Sequence, residues 1–192
     1  LEYHPEVLGE YTEARNVQYR ILGITLAALV WTFLLLQACF GSWRLSAIAF
    51  LGLPAALAGG VLAVFAGGGV VSIGSLVGFL AVIGIAARNG ILLIERFQHL
   101  ERHEGEPFGL GLVMRGARER LSPILASTAA IIAALLPIVL FGHIPGLEIA
   151  RPTVVVIMGG AVASALVTLF ILPALYLAVG AKAERQGEIA LA

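Results

Sequence analysis

A single charged residue, Arg88, stands inside the apolar run SIGSLVGFLAVIGIAARNGILLI. At the centre of a membrane helix such a charge costs at least about 2.5 kcal/mol on insertion scales, so it is kept where it pairs or serves a function. Asn89 follows it directly, and two hydroxyls, Ser127 and Thr128, lie in another apolar run. An arginine beside a hydroxyl and an amide can relay a change in local charge, but the acid that binds and releases the proton is missing. All 12 acidic residues are Glu, and none lies well inside an apolar run. Glu95 stands at the edge of one. A desolvated guanidinium is normally neutralised by a carboxylate or by carbonyl dipoles, so the titrating partner is expected from residues outside this chain.

Other groups carry weaker signals. His99 and His103 are spaced i, i+4 with Glu106 nearby, which would suit a metal if that stretch were helical, though a solvated loop is the plainer reading. Met114 and Met158 are the only methionines, too few to converge as a soft-metal site. The lone Cys39 has no partner for an internal disulfide. Gly67-Gly68-Gly69 is not followed by the Lys-Ser/Thr pair of a phosphate loop, so it reads as a turn. No nucleophile, base and orienting acid fall together, and the residues present do not describe an enzyme or call for a cofactor or resident metal.

The elements that must position Arg88 are legible from composition. The 192 residues are 59% hydrophobic and 12% charged, far more apolar than a soluble domain, so lipid is the expected solvent. Net charge is zero, which leaves no field to attract nucleic acid. The chain opens on Leu1 without a leader-like pattern and reads as a piece of something longer.

Residues 1–20 are polar and Glu-rich, like the end of an aqueous domain. Residues 21–40 contain no charge over twenty positions, about 30 Å of helix and one hydrocarbon thickness. Further spans are expected over 45–65, 70–95, 123–141 and 152–179. The charged stretch between the third and fourth spans is read as carrying an amphipathic surface helix over 108–121, and 180–192 as a polar tail. Pro137 and Pro173 fall within spans and are expected to kink them. Small residues at helical spacing, Gly59 with Ala63 and Gly74 with Gly78, are read as close-packing positions. The expected fold is therefore all-α and membrane-embedded.

Orientation follows the basic residues. An outside N-terminus and inside C-terminus puts Arg44, Arg96, Arg102, Arg115, Arg118, Arg120, Lys182 and Arg185 in the cytoplasm, and only Arg15, Arg20 and Arg151 outside. With the third helix bounded by Ile73 and Ile94, Arg88 lies about 7 Å to the cytoplasmic side of its middle. It then faces the bundle interior or snorkels to the cytoplasmic interface. Ser127 and Thr128 follow Arg120 by seven and eight residues, and Arg88 precedes Glu95 by seven, so antiparallel neighbours would hold these groups at similar depth.

Five runs in order, PAALAGG at 54–60, SIGSLVGFLAVIGIAARNGILLIE at 72–95, RERLSPIL at 118–125, GLEIARPTVVVIMGG at 146–160 and LFILPALYL at 169–177, resemble the resistance-nodulation-division efflux transporters. The resemblance extends from Gly9 to Leu177. GEYTEA at 9–14 and GLEIARP resemble the heavy-metal, Cus/Czc-type branch more than the multidrug branch.

The resemblance implies twelve helices in two pseudo-repeated halves, of which this chain would supply helices eight to twelve. It also implies a periplasmic porter domain, three copies in the inner membrane, a periplasmic adaptor and an outer-membrane channel. Export is by proton antiport, with paired Asp on a helix of the first half facing a basic residue on the tenth helix, the position Arg88 occupies. Arg departs from the Lys common in the multidrug branch and, holding its proton, would act as a fixed counter-charge. Ser127 falls where many relatives have Thr, and Arg120 where they have Arg at the cytoplasmic start of the eleventh helix. Two alternatives remain: a transport-incompetent membrane scaffold, and a superfamily relative exporting lipid or protein, against which GLEIARP and LPALYL argue.

Overall fold

A computed structural model describes residues 8–68, 72–141 and 150–179; the side chains of 8–15 and 18 lie outside the description. Of the expected end of an aqueous domain over 1–20, residues 1–7 therefore lie outside it, as do residues 142–149 and the tail over 180–192, while residues 8–20 form the first part of a helix that continues to Phe40. The described residues form helices without strands: α1 Leu8–Phe40, α2 Trp43–Ala66, α3 Ile73–Arg102, α4 Leu110–Phe141 and α5, which begins as Ala150–Leu166. α5 passes through a π-turn, Val167–Ile171, and resumes over 172–179. Five helical segments are long and apolar enough to cross a membrane: Tyr19–Phe40, Trp43–Ala66, Ile73–Arg102, Leu110–Phe141 and Ala150–Val179.

The turns follow local chemistry. Gly41 takes φ 61°, and its N–H reaches the carbonyl of Gln37 at 3.0 Å to close α1. Ser46 then donates to Gln37 Oε1 or the Ser42 carbonyl, tying α2 back to α1. α2 ends at Gly67 and Gly68, the latter at φ 113°. α3 begins with a capping box, in which the Ser72 hydroxyl accepts from the Ser75 N–H and the Ser75 hydroxyl from the Ser72 N–H, each at 3.3 Å.

Two features differ from the sequence expectation. The stretch read as a separate surface helix over 108–121 is the first part of α4, which continues through Pro123 into the span. Its 32 residues are about 48 Å long, more than the hydrocarbon requires. The reason is a packing stripe: Leu112, Val113, Gly116, Ile124 and Thr128 are buried at helical spacing along one face. The bare Cα of Gly116 admits Phe97 of α3, since a Cβ there would lie 2.6 Å from that ring. α3 likewise runs on to Arg102, so the aqueous connection shrinks to 103–109.

The second is the π-turn before Pro173. Proline cannot donate to the carbonyl four residues back, and the N–H of Leu172 bonds instead five residues back, to Val167. The irregularity expected from Pro173 takes this form.

α5 is the hub, packed against α2, α3 and α4. It crosses α2 through reciprocal small residues. A Cβ on Gly59 would meet Ala163 and lie 2.9 Å from the Gly159 carbonyl, and one on Gly159 would meet Ala63 and lie 2.9 Å from the Gly59 carbonyl. Small residues four apart on both helices let the backbones touch, which in lipid substitutes for a hydrophobic drive. We expect Gly59→Val to destabilise the folded protein by about 1–3 kcal/mol, the range for overpacking. Gly111→Ala, where nothing lies within 4 Å of the added carbon, should leave thermal stability in detergent unchanged or raised. Equal melting temperatures for Gly59→Val and the parent would refute the close crossing.

Candidate functional site

The faces of α3 are sharply divided. Gly74, Ser75, Gly78, Val82, Ile83, Ala86, Ala87, Asn89, Gly90, Leu93, Ile94, Phe97 and Leu100 are buried. Ile73, Val77, Ala81, Gly84, Arg88, Glu95 and His99 are exposed, at spacings of three, four or seven that define one stripe. Arg88 sits midway along it. Among the described residues its guanidinium has no ion pair or hydrogen bond.

One residue on, and about 100° round the helix, Asn89 points into the bundle. It is 6% exposed, and its Nδ2 donates to Ser164 Oγ on α5 at 3.1 Å. This bond fixes the rotation of α3 against α5 and thereby the direction in which Arg88 points. Thr153 adds a second tie, donating to the Gly74 carbonyl at 2.8 Å.

The two hydroxyls of α4 are engaged by their own helix. Ser127 donates to the Ile124 carbonyl at 3.0 Å and Thr128 to the same oxygen at 2.9 Å. Arg120 is half-buried, two turns nearer the start of α4 than Ser127. The structure thus places the expected site residues on two neighbouring helices without joining Arg88 to Asn89, Ser127 or Thr128 by a hydrogen bond.

Sequence reasoning missed Ser164, the partner of Asn89. It lies 75 residues away in an apolar span, and no local pattern marks it. It also missed the contact from the Cys39 thiol to Glu95 Oε1 at 3.3 Å, which ties α1 to α3.

Around the turn between them, ion pairs lock the α3–α4 hairpin. Arg96 holds Glu104 at 2.9 Å and also Glu119; Arg115 holds Glu104 at 2.7 Å, Glu106 at 3.0 Å and Glu119 at 3.2 Å. Gly105, at φ 66°, makes the turn that brings the glutamates back. His99 and His103 stack with ring centres 4.8 Å apart, both exposed. Among the described residues no three His, Cys, Asp or Glu side chains converge as a metal site.

An unpaired arginine on the exposed face, with the buried face locked into a bundle, is the arrangement that known relatives can be compared with. The AcrB/AcrD/AcrF family model matches residues 2–180. The chain belongs to this family of resistance-nodulation-division transporters. It is 34% identical over 175 residues to the cobalt-zinc-cadmium resistance protein CzcA of Cupriavidus metallidurans, covering 88% of this chain and 16% of that protein. It is 33% identical over 174 residues to the nickel and cobalt resistance protein CnrA of the same organism, covering 87% and 15%. The multidrug resistance protein MdtC of Erwinia amylovora matches at 31% over 156 residues, covering 81% and 15%. The fold is similar to that of a heavy metal efflux pump solved by crystallography, with TM-score 0.78 and 31% identity over 90% of this chain and 17% of that one. The chain therefore spans about a sixth of the length of the relatives it matches.

The buried tie between α3 and α5 is open to a double-mutant cycle. Asn89→Ala and Ser164→Ala should each destabilise the protein, because each leaves a buried polar partner unpaired. The double variant should recover a coupling energy of about 0.6 kcal/mol, the mean for hydrogen bonds between membrane helices. Strict additivity in thermal unfolding would show that the bond does not hold α3 in place.

Proposed function

We propose that this chain is the C-terminal membrane segment, helices eight to twelve, of a proton-driven efflux permease that exports metal ions, oriented with its N-terminus in the periplasm. One observation carries the reading: the only charge deep in α3 lies on the face of that helix that the described residues leave uncovered. Similarity to the metal-resistance proteins CzcA and CnrA supports metal ions as the exported substrate.

In this reading a helix of the first half of the permease packs on the stripe Val77, Ala81, Gly84 and Arg88 and brings the acid that this chain lacks. A guanidinium keeps its proton under ordinary conditions, so Arg88 does not itself titrate. It is a fixed positive charge. When the facing carboxylate is ionised the two attract strongly in a low-dielectric setting; when that carboxylate takes a proton the attraction falls away. The change biases the packing of α3 against the partner helix and so the rocking of the bundle between access states.

Asn89 acts through Ser164 to hold the azimuth of Arg88. Ser127 and Thr128 stand ready to exchange their intrahelical bonds for a water or carboxylate, and Arg120 marks the cytoplasmic end of the path. Three copies in the inner membrane, with a periplasmic adaptor and an outer-membrane channel, complete the exporter.

Arg88→Ala in the complete permease should abolish metal resistance in a growth assay while leaving membrane insertion intact. Arg88→Lys, which keeps the charge but loses the planar fork, should retain part of it. Full resistance in the alanine variant, at parental protein levels, would remove Arg88 from energy coupling.

A further inference from the structure

A second feature lies away from Arg88. A cavity of about 790 Å³ opens between the first part of α4 and the π-turn region of α5, lined by Met114, Arg115, Arg118, Leu121, Leu169 and Phe170. Its two ends differ in chemistry. Leu121, Leu169 and Phe170 are apolar; Leu121 and Phe170 are exposed, Phe170 at 71%, and Leu169 is half-buried. Arg115, Arg118 and Glu119 supply the charged end.

Most of that charge is already matched. Arg115 is held by Glu104, Glu106 and Glu119, and Glu119 also by Arg96. Arg118, exposed, has no ion pair or hydrogen bond among the described residues. The cleft thus presents one uncompensated guanidinium above an apolar floor.

Helix geometry sets its depth. Leu169 lies 18 residues, about 27 Å, along α5 from Arg151, near the far edge of a hydrocarbon layer about 30 Å thick. Arg118 lies 23 residues, about 35 Å, along α4 from Phe141, just beyond that layer. Both helices place the arginine at headgroup level and the apolar residues at acyl level. We propose that this cleft binds an anionic phospholipid of the cytoplasmic leaflet, its phosphate on Arg118 and an acyl chain along Leu121, Leu169 and Phe170. A planar guanidinium matches a phosphate bidentately, and the sign fits the negative charge of that leaflet. A free anion would leave the apolar floor uncovered, and a neutral lipid would leave Arg118 without a counter-charge.

The test is native mass spectrometry of the whole permease, delipidated in detergent and titrated with phosphatidylglycerol or with phosphatidylcholine of the same acyl chains. The parent should retain phosphatidylglycerol preferentially. Arg118→Ala should weaken that retention about fivefold, the effect of one basic residue near an anionic surface. Arg102→Ala, an exposed arginine outside the cleft, should not change it. Leu169→Trp, which narrows the apolar end and keeps Arg118, should also weaken it. Four results would overturn the proposal: equal retention of the two lipids, parental retention by Arg118→Ala, parental retention by Leu169→Trp, or displacement of phosphatidylglycerol by inorganic phosphate. Lipid retention is read without transport, so it fails or succeeds independently of the role of Arg88.

Discussion

A guanidinium carried halfway along a membrane helix imposes a demand on everything around it. It cannot shed its proton, and in an apolar setting it must be met by an opposing charge or by dipoles. In this chain the demand is unmet among the described residues, because the nearest carboxylates along α3 stand at Glu95 and beyond, seven or more residues on. The rest of the bundle is arranged so that the arginine points outward in a fixed direction. Gly74, Gly78 and Gly90 lie on the buried face of α3, and Asn89 clamps to Ser164. Rotating α3 to hide Arg88 inside the chain would break that bond and bring bulkier side chains against α5, where Gly160 already meets Val82.

Rigidity is distributed unevenly. Reciprocal small residues hold α2 to α5, and ion pairs close the α3–α4 hairpin. Between them α4 is lightly buried and carries Pro123 and Pro137, while α5 carries the π-turn at Val167–Ile171. Helix irregularities of this kind change local pitch without exposing backbone to lipid, because neighbouring helices take up the freed groups. The irregular part of α5 borders the cleft that contains Arg118.

Much of this was legible in the sequence. Twenty uncharged residues can do little else in water, so the spans announce themselves by length, and Arg88 stands out because nothing near it is charged. Spacing alone also indicated the small-residue crossing at Gly59 and Ala63. The continuity of α4 was hidden because Ser122-Pro123 imitates a helix start, and only packing of Gly116 against Phe97 shows that the helix runs through. Ser164 was hidden because a serine in an apolar run has many possible partners, and its choice of Asn89 depends on how α5 crosses α3. Apart from Arg115–Glu119 at i, i+4, the hairpin ion pairs join residues 8 to 23 positions apart and cross the turn, so helical periodicity does not mark them.

The central claim is that the open face of α3 is completed by an acid from outside this chain. A structure of the whole permease in a lipid nanodisc measures it directly, through the distance from the Arg88 guanidinium to the nearest carboxylate oxygen. The account predicts a carboxylate from a facing helix within about 4 Å, the reach of an ion pair, in at least one protomer. An Arg88 side chain extended into lipid headgroups or cytoplasmic water, with no acidic residue on any helix at its level, would contradict it.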